Sequence, residues 1–165
     1  MLLAAAIVAA SSLWLALLAF AAAYRMTDVA LVSDFIYRVA AFVCHQQADR
    51  SFAWNGVPWP VCARCLGLYV AAPAAAVMAM TASGGGRPHS SRRNLVILCA
   101  SALPTAISWS AEWLAGVPVS NTTRFISAWP LGAGVAWVVI RTALDAPRQH
   151  VSRYTLRDAR RGPTQ

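Results

Sequence analysis

Cys44 and His45, followed by Cys62 and Cys65 in the run Val61-Cys62-Ala63-Arg64-Cys65-Leu66-Gly67, bring three thiols and an imidazole to the edge of a long apolar stretch. Thiolate and imidazole are ligands that suit tetrahedral zinc, and the CxxC spacing lets two sulfurs reach one ion from a single turn. Because Cys44 and His45 are adjacent, both ligate one ion only if the backbone bends between them; otherwise His45 stands beside the ligand shell. The same residues support a second chemistry. Cys62 falls near the start of a helix with Arg64 beside it, where the helix dipole and the guanidinium both favour thiolate. Cys62 and Cys65 could then cycle between dithiol and disulfide, with Cys44 as the shuttle to an external partner. The inert alternative is one structural disulfide or plain burial, which is the reading adopted for Cys99, alone inside an apolar stretch.

The elements that must position this cluster are membrane spans. The chain has 165 residues, is 58% hydrophobic and only 12% charged, and its mean hydropathy of +0.51 exceeds what a soluble domain needs to fill a core. Crossing about 30 Å of hydrocarbon takes roughly 20 helical residues. Four stretches qualify, at about residues 3–23, 66–82, 95–114 and 125–140. The last is the shortest, interrupted by Pro130, Gly132 and Gly134. The first ends in small residues that resemble a signal-peptide cleavage site, but its apolar part is long and no basic residue precedes it, so an uncleaved span is expected.

Arginine supplies all 14 basic residues of a chain with net charge +8. Arg87, Arg92 and Arg93 lie between the second and third spans, and Arg141, Arg148, Arg153, Arg157, Arg160 and Arg161 follow the fourth. By the positive-inside rule both segments are expected in the cytoplasm. Both termini then lie inside, and the Cys/His segment and the loop containing Arg124 lie outside, in a plasma membrane. Arg25, Arg38, Arg50 and Arg64 in the first connection count against this orientation, though they are dispersed and mixed with Asp28, Asp34 and Asp49.

Between the first span and the cluster, residues 28–43 carry apolar side chains at helical recurrence (Val29, Leu31, Val32, Phe35, Ile36, Val39, Ala40 and Val43), with Asp34 and Arg38 on another face: an amphipathic helix at the interface or against the bundle. In the connector 48–60, Asn55-Gly56 predicts a turn and a short hairpin, with Trp54 and Trp59 as interfacial anchors. Gly84-Gly85-Gly86 predicts a flexible loop. Residues 1–143 form one membrane domain, and 144–165 an arginine-rich cytoplasmic tail against solvent or lipid headgroups. His89 and His150 are isolated and expected to be solvated.

Cys44-His45-Gln46, Arg50-Ser51-Phe52, Asn55-Gly56-Val57-Pro58 and Pro60-Val61-Cys62-Ala63-Arg64-Cys65-Leu66-Gly67-Leu68-Tyr69 resemble the signature of a family of bacterial and archaeal membrane proteins known as domain of unknown function two thousand and eighty-five. Asn121-Thr122-Thr123-Arg124 resembles the family's Asn-x-x-Arg pattern before its last span. The resemblance implies that these residues belong together and carries no activity with it. The four-span layout with CxxC at the outer end of the second helix is also similar in architecture to quinone-linked disulfide-forming proteins, although those carry a second cysteine pair that this chain lacks.

Topology places Glu112, Asn121 and Arg124 on the side of the cysteines. Ionisable groups at membrane depth are costly and point to function, which makes Glu112, Arg64 and Arg124 catalytic candidates, with Glu112 as a base for a metal-bound water. The structural alternative is a helix cap at Ser120 or Asn121 and an ion pair between Glu112 and Arg124. The expectation is thus an all-α integral membrane protein: a four-helix bundle with an interfacial helix and a short hairpin or loop bearing the site. Cys44, His45, Cys62 and Cys65 would hold zinc, with Gln46, Arg50 and Asn121 around them. The alternatives are a membrane thiol-disulfide oxidoreductase and an accessory subunit of a larger membrane complex. Expected partners are the lipid bilayer and a protein on the outer face, not nucleic acid.

Overall fold

The computed structural model describes residues 2–82 and 90–161, with side chains through Leu144. The triple-glycine loop, Arg87, His89 and the side chains of the arginine-rich tail, including His150, lie outside the described residues. An alanine- and leucine-rich stretch free of glycine and proline forms α1 (Leu2–Tyr24). After it come α2 (Ala30–Ala41), a 3-10 turn (Ala48–Arg50), strands β1 (Ala53–Trp54) and β2 (Val57–Pro58), then α3 (Ala63–Thr81), α4 (Ser91–Trp113) and α5 (Asn121–Arg161). The described residues are all-α apart from the hairpin. Among the described residues, four helices are long and apolar enough to cross a membrane: α1, α3, α4 and residues Asn121–Leu144 of α5. Their outer faces carry exposed Leu13, Val77, Leu103, Ile107 and Val135, surface that contacts lipid in a membrane protein.

Apolar helices in lipid gain little from hiding apolar side chains, so close backbone approach has to hold them. The pairing of α3 with α5 shows how. A Cβ on Gly67 would lie 2.2 Å from the Phe125 carbonyl oxygen, and one on Gly132 would lie 2.3 Å from that of Leu68. A Cβ on Gly134 would lie 2.4 Å from Ser101 Oγ, so the same device brings α4 onto α5. Hydroxyls add to it: Thr105 Oγ1 donates to the Ser127 carbonyl at 2.8 Å, and the Ser108 and Ser127 hydroxyls are 3.1 Å apart. The expected last span is present, and Pro130, Gly132 and Gly134 interrupt its apolar run without interrupting the helix. α5 runs through all three, because the glycines are contact points and not breaks.

The expected amphipathic helix packs against the bundle. Ser33, Ile36, Tyr37 and Ala40 are buried, with Ser33 Oγ donating to the Ala21 carbonyl of α1 at 2.7 Å, while Leu31, Val32 and Phe35 face outward. α2 therefore presents one apolar side to α1 and another to its surroundings. The hairpin turns on Asn55 (φ 48°) and Gly56 (φ 80°), two successive left-handed residues, with Trp54 opposite Val57. Leu18, Ala21, Ile36, Tyr37, Ala40, Cys44, Val61 and Leu66 form the core at this end of the bundle.

Candidate metal centre

α2 and the hairpin deliver the two halves of the site. Cys44 N donates to the Ala40 carbonyl at 3.0 Å, so the thiol sits in the turn that closes α2. Two residues on, Gln46 adopts a left-handed backbone (φ 50°) that redirects the chain. Its amide donates to the Tyr37 carbonyl at 2.6 Å and to the Pro60 carbonyl at 2.8 Å, tying the last turns of α2 to the segment that leads into α3. The Tyr37 hydroxyl donates to the Pro58 carbonyl and fastens the same two segments again. Cys62 is the extended residue preceding α3, and Cys65 lies about one helical turn further on.

The sulfurs of Cys44, Cys62 and Cys65 all lie within 4.8 Å of one another, close enough to hold a metal ion. Zinc–sulfur bonds of about 2.3 Å at tetrahedral angles put sulfurs roughly 3.8 Å apart, so small side-chain adjustments bring the three onto one ion. Cys44 is buried, its Sγ accepts from the Cys62 amide at 3.1 Å, and none of the three is in a disulfide. Hydrogen bonds from the Cys62 and Cys65 thiols, joined by the Cys62 amide, hold the Cys44 thiol well below the usual thiol range despite its burial.

His45 stands outside this group. It is exposed, and it borders the cavity beside the thiols instead of joining them. The reason is local: Cys44 turns inward against Val61 and Leu66, and the adjacent side chain points elsewhere. Cys99 is unpaired and exposed on α4.

Next to the thiols, Glu112 gathers three arginines. Arg124 Nη2 donates to Oε1 at 2.7 Å and its Nε to Oε2 at 3.3 Å; Arg64 Nη2 donates to Oε2 at 2.9 Å; Arg50 Nη2 lies 3.4 Å from Oε1. Both carboxylate oxygens are thereby engaged, and the expected ion pair with Arg124 is present as one arm of a larger hub. Asn121 Oδ1 accepts from Arg124 Nη1 at 2.7 Å, and its Nδ2 donates to the carbonyls of Ser51 at 3.0 Å and Asp49 at 3.3 Å. Asn121 thus clamps the 3-10 turn bearing Arg50 to the start of α5. The helix cap is Ser120, whose Oγ accepts from Thr123 N at 3.1 Å.

Sequence reasoning missed Ser108, whose hydroxyl accepts from Arg64 at 3.2 Å, and also Trp109 and Trp113. A signal was present. Ser108 and Glu112 are four apart in an apolar span, hence on one helix face, a polar stripe that needs a partner. Trp113 supplies the ring over which the Arg50 guanidinium lies, 5.0 Å from the centroid.

The family model described as predicted membrane protein (DUF2085) matches residues 44–138, more than half of the chain, and the chain belongs to that family. The match opens on Cys44 and spans both the thiol cluster and the Glu112 hub. An uncharacterized protein of Methanothermobacter thermautotrophicus is 25% identical over 95 residues, which cover 58% of this chain and 82% of that protein. No solved structure matches the chain.

Proposed function

Proceeding from that family membership, we propose that this is a small plasma-membrane protein that holds zinc through Cys44, Cys62 and Cys65 on the non-cytoplasmic side of its bundle. The observation carrying the reading is the convergence of three sulfurs within 4.8 Å, one of them from a different element than the other two. Sidedness is supported by Arg92, Arg93 and Arg141 at the opposite end, which the positive-inside rule assigns to the cytoplasm. Three thiolates leave a tetrahedral ion one further position, and a zinc ion bound there would polarise a water or an oxygen ligand. The protein's own share is to hold Cys44 against Cys62 through Gln46, and to place Arg64 close enough to offset the excess negative charge of three thiolates around a divalent ion. Glu112, with both oxygens engaged by arginines, acts as the anchor of those arginines.

Metal analysis of the purified full chain tests this. One equivalent of zinc is expected, lost on Cys62→Ser and retained on His45→Ala. A metal-free protein with a reducible Cys62–Cys65 bond would overturn the zinc reading in favour of thiol-disulfide exchange, which the same sulfur proximity supports.

A further inference from the structure

A cavity of about 370 Å³ beside the three thiols is also lined by Arg50, Arg64, Arg124, Trp109 and Trp113. Three features of its lining remain unexplained by metal binding. First, three guanidiniums share one buried carboxylate, Glu112, and the second carboxylate that pairs with them, Asp49 at 3.8 Å from Arg50, is 78% exposed and screened by water. Second, Arg50 Nε and Arg64 Nε are buried and make no hydrogen bond among the described residues; the Asp49 carboxylate, 3.8 Å from Arg50 Nε, pairs with it by charge but is too far to accept a hydrogen bond. Buried polar groups are almost always satisfied, so two such guanidinium N–H groups beside one cavity mark a missing acceptor. Third, Trp109 and Trp113 are about half exposed beside these arginines, the arrangement of an aromatic belt at headgroup depth.

We propose that this cavity binds a phosphate group. Guanidinium forks match phosphate oxygens geometrically, and a phosphate oxygen would give the buried arginine N–H groups an acceptor less screened than the exposed Asp49. The chemistry is common to a phospholipid headgroup and to free phosphate, and the tryptophans favour the lipid. The site takes its charge from the arginines, so it deepens the zinc reading by naming what meets the ion's open side, and rests on that reading for nothing more.

The test uses the full chain in non-ionic detergent, titrated with inorganic phosphate and, separately, with short-chain phosphatidylglycerol below its micelle concentration. Tryptophan fluorescence reports binding, since Trp113 lies under Arg50, and zinc content is measured in parallel. Saturation by the lipid alone identifies a headgroup site, and saturation by inorganic phosphate a free-anion site. Arg50→Gln is expected to weaken binding at least ~10-fold, the effect of losing one charge-assisted contact, whereas Arg25→Gln, away from the cavity, leaves it unchanged. If Arg50→Gln does not fold, Arg50→Lys serves, keeping the charge and losing the fork, with a smaller loss expected. Failure of both probes to saturate the wild-type protein overturns the proposal, as does equal binding by wild type and the folded Arg50 variant. A wild-type protein that takes up no zinc and still saturates with either probe sinks the metal reading and leaves this one standing.

Discussion

Replacing Glu112 with glutamine removes one charge and almost no volume, and the structure sets how much that costs. The carboxylate side chain is 10% exposed, and the side chains of Arg124, Arg64 and Arg50 are 11%, 15% and 25% exposed. At an effective dielectric near 20, opposite charges 4 Å apart attract by ~4 kcal/mol. Desolvation offsets much of this, and breaking a buried pair from one side costs ~3–5 kcal/mol. Glutamine keeps one acceptor oxygen, which places the substitution at the lower end, near ~3 kcal/mol. At ~2–4 °C per kcal/mol for a chain of this size, the melting temperature of the detergent-solubilised protein should fall by roughly 10 °C. The three guanidiniums left behind repel one another, so added salt should restore part of the loss by screening. Arg124→Gln should cost more than Arg50→Gln, since Arg124 donates twice to the carboxylate at distances down to 2.7 Å and Arg50 approaches it once at 3.4 Å. A Glu112→Gln variant melting within a degree or two of wild type at low salt would refute the hub. An unchanged melt with lost catalysis in a future assay would return Glu112 to the role of base.

Other outcomes follow from the same contacts. Gly67→Ala should push α3 off α5, because its new Cβ meets a backbone carbonyl that has no rotamer to yield; a loss of ~2 kcal/mol or more is expected in thermal unfolding, against ~1 kcal/mol for Gly116→Ala, where φ is +64° but nothing lies within 4 Å. Gln46→Ala removes the side-chain amide that bridges the Tyr37 and Pro60 carbonyls, leaving the Tyr37–Pro58 and Cys62–Cys44 bonds between the two segments; zinc affinity measured by chelator competition should fall ~10-fold or more, while the backbone fold persists by circular dichroism. Burial pushes the Tyr37 phenol up from its ordinary value, with its bond to the Pro58 carbonyl requiring the protonated form. A raised folded value means that this contribution is complete below the unfolded value near 10 and is lost as pH climbs through the higher folded one. Tyr37→Phe should therefore cost ~1 kcal/mol at pH 7, and melting curves taken above pH 10 should show the difference from wild type shrinking.

Much of the architecture was legible in the chain because it depends on short-range rules. Four spans follow from the length of each apolar run, and the hairpin from Asn55-Gly56, a pair that tolerates two left-handed residues in succession. The structural alternatives weighed for Ser120 and for Glu112 with Arg124 are both present, since a cap and a sidedness argument need only neighbours and topology. The face of α2 was not legible. Its apolar residues wrap both sides, and only contact with α1 selects Ser33, Ile36, Tyr37 and Ala40 for burial. The contacts around Pro130 were not legible for a related reason: only the bundle shows that its neighbours Gly132 and Gly134 lock against α3 and α4.

By itself the sequence determined that Cys62 and Cys65 share one turn, that Cys44 arrives at the same end of the bundle, and that Glu112, Asn121 and Arg124 lie on that side. Only the tertiary structure decided that Cys44 joins the other two sulfurs while His45 stays outside, and that Arg50, Arg64 and Arg124, distant along the chain, meet on one carboxylate. Periodicity and spacing carry information over a turn or two. Convergence of residues as far apart as Arg64 and Glu112 depends on how closely whole helices approach, and that distance is set by glycine contacts and carbonyl acceptors elsewhere in the bundle.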